Sequence, residues 1–233
     1  MQTDLPLGPD PLHLLFEARV HLGHRTGKWH PKMAPYIYGV RGGLHLLDLK
    51  ESARHLTRAL RLVAQVLKKK GHLLIVGNRA ENSQFAGRLG LRYHPHLSFV
   101  HTQWMGGSLT NRQFLTKAMS RAETEEAGTT LRQRRIRTYL SGWHPTRRPN
   151  LILLLNAHIN PFVLEEARRL NLPLIGVVDT NNDPGMVSYP IPGNDDTSES
   201  HFLYCQAFSY VIQKALVSDR SGPSLLPSEI LHV

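Results

Sequence analysis

The chain has 233 residues, of which 41% are apolar, enough for one sizeable core with one small appendage. Lys and Arg total 28 against 18 acidic residues, which gives a formal net charge of +10 and a pI near 10. This balance favours a polyanionic partner and disfavours a free, monomeric cytosolic enzyme. The single cysteine, Cys205, excludes an internal disulfide and a cysteine-based zinc site. No apolar run approaches the roughly 20 residues needed to cross a bilayer, so no membrane partner is expected.

Residues 1–11 do not resemble a targeting signal. They contain Asp4, Asp10 and three prolines, but no Lys or Arg. A transit peptide is Arg-rich and amphipathic, and a secretory signal has a basic start and an apolar centre. Either the chain is made where it works, or a presequence lies outside this numbering.

Residues 18–47, which we call the basic ribbon, contain no Asp or Glu. Gly23, Gly27 and Pro31 forbid a long helix there, so we expect a segment fitted to a surface. Lys and Arg neutralise phosphates, and the indole of Trp29 can stack on a base, so the ribbon predicts an RNA partner. An ordinary basic surface loop with Trp29 in the core fits the same pattern. The cations and histidines of the ribbon are Arg19, Arg25, Lys28, Lys32, Arg41, His21, His24, His30 and His45.

Further along the chain, short apolar runs alternate with helical patterns. Strands are expected near 44–49, 72–77, 97–100, 151–155 and 174–178, and helices near 51–70, 80–89, 161–170 and 197–217. This alternation predicts an α/β fold: a doubly wound, mostly parallel sheet flanked by helices. The inner face of the last helix is expected to carry Phe202, Cys205, Phe208, Ile212 and Leu216.

The alternation stops between residues 112 and 149, where a protruding helical hairpin is predicted. The domain division is therefore a discontinuous sheet domain (1–111 and 150–218), a hairpin insertion (112–149) and a C-terminal tail (219–233). A second cationic feature is the outer face of the helix at 51–70, which carries Arg54, Arg58, Arg61 and the run Lys68, Lys69 and Lys70. A solvated helix end, where cations interact favourably with the helix dipole, explains the lysine run, and a contact with a partner is the alternative.

An open parallel sheet also raises the possibility of an enzyme for a phosphorylated small molecule. The turn at Gly77 has no dinucleotide or phosphate-loop fingerprint. The segment 106–111 could cradle a phosphate with its backbone or form a simple turn. Asp179, at a strand end, could act in acid–base chemistry or, with Asp195 and Asp196, hold magnesium. Turn formation and capping of the last helix explain Asp195 and Asp196 equally well.

Four separated motifs resemble the bacterial-type ribosomal protein S2 family of the small ribosomal subunit. The N-terminal signature comprises 18–26 with Trp29, 31–33, 35–39 and Arg41. The other three motifs are 104–111, 177–181 and 191–196. Together the motifs span about residues 16–216. The resemblance implies a doubly wound sheet with a hairpin, located near the neck of the subunit.

In function, the resemblance implies a non-catalytic structural constituent of the small subunit, without cofactor or metal, that binds ribosomal RNA and neighbouring ribosomal proteins. The cations of the ribbon would position phosphates, Trp29 and Tyr36 would stack, and the Gly106–Gly107 turn would admit close backbone approach. The residues expected to contact RNA are Arg19, His24, Arg25, Lys28, Trp29, Lys32, Tyr36, Arg41, Gly106, Gly107, Asn111, Arg112, Arg132, Arg134, Arg135 and Arg137.

The chain also departs from the family pattern. Gly27, His30 and Gln103 replace residues that are commonly Arg, Asn and Arg, and 185–188 lacks the usual acidic residues. The short hairpin segment and high pI suggest an organellar ribosome, mitochondrial (in the matrix) more than plastid. The alternatives are the bacterial cytoplasm and a plastid. An RNA-binding protein acting off the ribosome is a further alternative.

Overall fold

The computed structural model describes residues 10–77, 80–93, 96–111, 113, 117, 138–144, 147–156 and 161–217. Eight strands lie in these ranges: β1 (Leu22–Arg25), β2 (Ile37–Arg41), β3 (Leu44–Leu47), β4 (Leu73–Val76), β5 (Leu97–Val100), β6 (Leu151–Leu154), β7 (Leu174–Val178) and β8 (Tyr189–Pro192). The α-helices are α1 (Pro11–Glu17), α2 (Leu49–Lys68), α3 (Ala80–Tyr93), α4 (Pro161–Arg169) and α5 (Ser198–Val217). None of these helices combines the length and apolar character that a bilayer crossing requires.

Strands β4 to β8 form one parallel sheet in the order β5-β4-β6-β7-β8. Residues of β4 to β7 are buried throughout, as expected for a parallel sheet covered on both faces. On one face, Leu73 and Ile75 pack with α2, α3 and α5; on the other, Leu74 and Val76 pack with α4 and the basic ribbon. The predicted doubly wound α/β fold is confirmed.

Helix α2 shows how the local sequence sets the boundaries. It begins after Asp48, whose carboxylate accepts the Lys50 N–H at 2.8 Å. It ends with Lys70 in the left-handed region, at a φ of 59°, and with the Gly71 N–H donating to the Val66 carbonyl at 2.9 Å. The helix predicted at 51–70 is therefore shifted by two residues to Leu49–Lys68.

Other parts of the sequence prediction need correction. Phe202 was expected on the inner face of α5, but it is 60% exposed. The buried face of α5 instead includes Tyr204 and Val211 beside the expected Cys205, Phe208, Ile212 and Leu216. The helix predicted at 80–89 continues to Tyr93. Helix α1 and strands β1, β2 and β8 were not predicted from the sequence.

Most of the predicted hairpin, 112–149, lies outside the described residues, so the hairpin stays a prediction. Its C-terminal part is described at 138–144 and 147–149. There Tyr139, Leu140 and Trp143 are buried in the same core as α4. The Phe99 N–H also donates to the Gly142 carbonyl at 2.8 Å, so this short piece packs against β5.

Candidate nucleic-acid interface

The basic ribbon folds as a small antiparallel sheet in which β3 lies between β1 and β2. Gly42 and Gly43, both at positive φ, form the tight turn from β2 to β3. Met33 is fully buried and anchors the ribbon to the parallel sheet. The ribbon is therefore anchored to the parallel sheet through Met33, while about half of its residues are exposed.

Three of the predicted phosphate contacts, Arg25, Lys28 and Arg41, are exposed. Within the described part of the chain they form no ion pair. Trp29 is 39% exposed and its ring lies 5.4 Å from that of His45, centroid to centroid. The alternative that placed Trp29 in the core is wrong. This surface therefore combines the accessible indole of Trp29 with three cations that form no ion pair among the described residues.

Two other predicted contacts are already paired with acids of the same chain. Lys32 Nζ lies 2.7 Å from Asp183 Oδ2, and this hydrogen bond lowers the pKa of Asp183. Arg19 Nη1 lies 3.4 Å from Glu199 Oε1, and both side chains are more than half exposed. An external phosphate would have to compete with these carboxylates, so Arg19 and Lys32 are weaker candidates than Arg25, Lys28 and Arg41.

Tyr36, the second predicted stacking residue, is partly buried. Its ring makes an edge contact with His55 of α2, with centroids 5.4 Å apart. Its carbonyl accepts the Asp48 N–H at 2.9 Å, directly before α2. Tyr36 therefore joins the ribbon to α2.

His24 of β1 lies beside the carboxyl end of β7 and contacts two carboxylates. Its Nδ1 is 3.1 Å from Asp179 Oδ2, and its Nε2 is 3.2 Å from Asp196 Oδ2. The hydrogen bond with Asp179 raises the pKa of His24. Thr180 Oγ1 accepts the His24 backbone N–H at 2.8 Å. These contacts tie the ribbon to the end of β7.

The side chains of His24, Asp179 and Asp196 also form a cluster of possible metal ligands. One ligand atom from each of them lies within 4.8 Å of the others, so the cluster has a donor set that could hold a divalent cation.

The segment between β8 and α5 is organised by Asn194. Asn194 Oδ1 accepts the N–H groups of Asp196 at 2.8 Å and Thr197 at 3.2 Å. Capping by Asp195 or Asp196 was expected here. The carboxylate of Asp195 lies 3.4 Å from Asn182 Nδ2, and that of Asp196 lies 3.2 Å from His24 Nε2. Asn194 is therefore an acceptor at the entrance to α5, and capping by Asp195 or Asp196 stays a prediction.

The loop 104–110 is built around Glu166 of α4, which is only 7% exposed. Glu166 Oε1 accepts the Gly107 N–H at 2.8 Å, and Oε2 accepts those of Leu109 at 2.9 Å and Thr110 at 3.1 Å. Burial would raise the pKa of Glu166, but these bonds and one from the indole of Trp104 outweigh it and lower the pKa. In the enzyme alternative, these backbone N–H groups would donate to a phosphate. In the structure they donate to the carboxylate of Glu166 instead.

The same loop is held from its other side. Ser108 Oγ and Tyr139 Oη lie 2.5 Å apart, and burial raises the pKa of Tyr139 to about 12. Gly107 has a φ of 87°, whereas Gly106 is exposed and a side chain there would meet nothing within 4 Å. The Asn111 N–H donates to the Gly107 carbonyl at 2.7 Å. The backbone of Gly106 is therefore exposed on a loop that hydrogen bonds to Glu166 and Tyr139 hold in place.

Comparison with known proteins bears on this arrangement. A sequence model of the family described as Ribosomal protein S2 matches residues 15–215. The chain belongs to the ribosomal protein S2 family. The small ribosomal subunit protein uS2 of Bartonella tribocorum is 35% identical over 214 residues, covering 85% of this chain and 80% of the relative. The protein of the same name from Bartonella henselae is 35% identical over 214 residues, covering 85% and 82%. That from Sinorhizobium medicae is 33% identical over 207 residues, covering 82% and 80%.

The family resemblance predicted from the motifs is thereby confirmed. In this member of the ribosomal protein S2 family, the structure brings the N-terminal signature and the C-terminal motifs 177–181 and 191–196 together around His24 and Asp179. The 104–111 motif forms a separate loop on Glu166. Arg112, Arg132, Arg134, Arg135 and Arg137 lie outside the described residues and stay predictions.

Sequence reasoning missed Glu166. A usable signal was present, because Glu166 shares a helical face with the buried Val163 and Ala167. A carboxylate on an apolar helix face requires hydrogen-bond donors. The adjacent glycines at 106–107 were the natural place to look for them.

Proposed function

We propose that this protein is a structural, non-catalytic component of the small ribosomal subunit, which supports translation by binding ribosomal RNA and neighbouring ribosomal proteins. Membership of the ribosomal protein S2 family, over residues 15–215, supports the assignment to the subunit. The observation that carries RNA binding is the surface of the ribbon, where Arg25, Lys28 and Arg41 are exposed beside Trp29.

The chemistry of this surface suits a nucleic-acid backbone. The Arg25 and Arg41 guanidinium groups can each form two parallel hydrogen bonds to a phosphate, and Lys28 supplies a point charge. The accessible face of Trp29 can stack on an unpaired base, which is the way proteins commonly read single-stranded RNA. The exposed backbone at Gly106 offers a second place of close approach.

Salt dependence tests this proposal. We expect the purified full-length protein to bind small-subunit ribosomal RNA, with each lost phosphate contact reducing the log–log salt slope by roughly 0.7 to 0.9. The triple variant R25A/K28A/R41A should therefore flatten the slope by about 2 to 3. A matched control, R88A/R168A/R169A, removes three exposed cations from α3 and α4 and should change the slope much less. Equal slopes for wild type and the ribbon variant would exclude the ribbon from the interface.

The enzyme alternative has less support. Its phosphate loop would need the N–H groups of Gly107, Leu109 and Thr110, which Glu166 accepts. Titration of the protein with ATP, GTP and NAD should therefore give no saturable heat. Micromolar binding of any of these nucleotides would restore the enzyme proposal.

For the compartment, we propose a mitochondrial ribosome. The pI near 10 and the short segment between residues 112 and 149 support this location. The bacterial relatives favour the alternative of a bacterial cytoplasm. Fractionation of source cells with an antibody against the protein distinguishes a mitochondrial matrix, a plastid and a bacterial cytoplasm.

A further inference from the structure

The solvent-facing side of α2 carries a continuous row of cations. Lys50, Arg54, Arg58, Arg61 and Lys68 are all exposed and recur at helical spacing, with Gln65 completing the row. From Lys50 to Lys68 the row covers 19 residues, and the 18 steps of ~1.5 Å between its ends make it about 27 Å long. The opposite face buries Leu56, Leu60, Val63 and Leu67 against the core. We call this row the α2 cationic stripe.

The centre of the stripe borders an open groove of about 620 Å³ between α2 and Tyr189 of β8. Its α2 side is lined by Ala53, Arg54, Thr57, Arg58, Arg61, Leu62 and Gln65, and none of the described lining residues is acidic. The guanidinium carbon of Arg58 lies 5.3 Å from the centroid of the Tyr189 ring. Stacking on an aromatic ring holds a guanidinium in place while leaving its N–H groups free to donate.

The charge of the stripe is largely uncompensated. Glu51 is the one acidic residue of α2, and it lies 3.0 Å from Arg54 Nη1. Among the described residues, Arg58 and Arg61 have no ion-pair partner. Like charges three or four residues apart destabilise a helix, so a row of them is stabilised by an external polyanion.

The surface favours the RNA backbone over an acidic protein segment. Protein interfaces depend on buried aromatic or aliphatic anchors, but α2 has no exposed large apolar side chain. Arginine forks match phosphate oxygens. Tyr36 of the ribbon contacts His55, the residue of α2 that follows Arg54 of the stripe, so one RNA could contact both surfaces.

We propose that the α2 cationic stripe is a second RNA-binding surface, which contacts phosphates without reading base sequence. The proposal rests on the proposed function of the protein, but it concerns a surface separate from the exposed cations of the ribbon. Arg58 and Arg61 are the central contacts, and Lys68 lies toward the far end.

The test compares salt slopes for full-length proteins binding transcribed small-subunit ribosomal RNA and a mixed-sequence RNA duplex. We expect R58A/R61A/K68A to reduce the log–log slope by about 2 for both RNAs, because phosphate contacts are independent of sequence. The charge-conserving variant R58K/R61K should keep nearly the full slope, and R88A/R168A/R169A serves as the charge-matched control. Circular dichroism of each variant verifies the fold.

An unchanged slope for R58A/R61A/K68A, together with a flattened slope for R25A/K28A/R41A, would overturn the stripe proposal and leave the proposed function intact. Unchanged slopes for both variants would exclude both surfaces, and the absence of RNA binding by the wild-type protein would overturn the proposed function. Wild-type RNA affinity with impaired incorporation of R58A/R61A/K68A into the small subunit would assign the stripe to an acidic protein neighbour, which also contradicts the proposal.

Discussion

The indole N–H of Trp104 donates to Glu166 Oε1 at 3.0 Å, and this bond closes one side of the loop that carries Gly106 and Gly107. Three backbone N–H groups of the loop donate to the same carboxylate. In other proteins, such converging N–H groups bind phosphate or another anion. Here the carboxylate of Glu166, a side chain of the protein itself, occupies that position.

We expect the variant Glu166→Gln to be markedly less stable than wild type. The amide keeps the shape of the side chain, but it removes the charge and brings an NH₂ group toward N–H donors. Loss of buried hydrogen bonds to a charged group costs about 2 kcal/mol or more, equivalent to a fall in Tm of ~4–8 °C for a chain of this size. Thermal unfolding measures the shift. Glu165→Gln, on the exposed side of α4, is the control and should change Tm little; equal shifts would contradict the role of Glu166.

The carboxylate of Glu166 should also make the stability of the protein depend on pH. The pKa of folded Glu166 lies below its ordinary value of 4.5, because the hydrogen bonds favour the charged form. Its stabilisation is therefore fully present above about pH 4.5 and is lost as the pH falls through the folded-state pKa. The gap in unfolding free energy between wild type and Glu166→Gln should be constant near neutrality and narrow in acid. Denaturant titrations between pH 3 and 7 would detect this, and a gap that widened in acid would refute it.

Gly193, which directly precedes Asn194, has no room for a side chain. A Cβ atom on Gly193 would lie 2.0 Å from Tyr204 Oη and 3.2 Å from Val20 Cγ1, and Tyr204 is fully buried. We expect Gly193→Ala to destabilise the protein by ~1–3 kcal/mol through overpacking. Gly27→Ala is the matched control, since a Cβ there meets nothing within 4 Å. Chemical denaturation compares the two, and a larger loss for Gly27→Ala would be inconsistent with this packing.

Asn194 and Asp196 make a second matched pair. Asn194 is 4% exposed, and its side chain also donates to the Arg19 carbonyl at 3.2 Å. Replacing Asn194 by Ala removes the acceptor at the entrance to α5 and should lower stability by about 0.5–2 kcal/mol. The Asp196 side chain is 59% exposed, so Asp196→Ala should have a smaller effect. The opposite order of Tm values would show that Asp196, not Asn194, contributes most to the cap of α5.

The sequence was informative wherever burial left a strong pattern. Continuous apolar runs such as 73–76 and 151–154 predicted the central strands because both faces of the sheet are covered. Strand β8 was missed because Pro190 and Pro192 argue against a strand. Prolines are tolerated there because β8 is an edge strand that pairs with β7 alone.

The candidate interface was predictable in composition but not in arrangement. The absence of acidic residues from 18–47 predicted a cationic surface, and Arg25, Lys28 and Arg41 are exposed there. However, Lys32 and Arg19 pair with Asp183 and Glu199, which are distant in sequence, and charge counting cannot reveal such partners. Phe202 was assigned to the core because its spacing fitted one helical stripe, whereas the tertiary packing of α5 buries a neighbouring stripe that includes Tyr204.

The measurement that tests the central claim most directly is sedimentation of a cell extract on a sucrose gradient, with wild-type protein and the R25A/K28A/R41A variant expressed at matched levels. We expect wild-type protein to sediment with the small ribosomal subunit, and the ribbon variant to shift substantially toward the free fractions. The control R88A/R168A/R169A should stay with the subunit. Wild-type protein found only in a free pool would contradict its assignment to the small subunit.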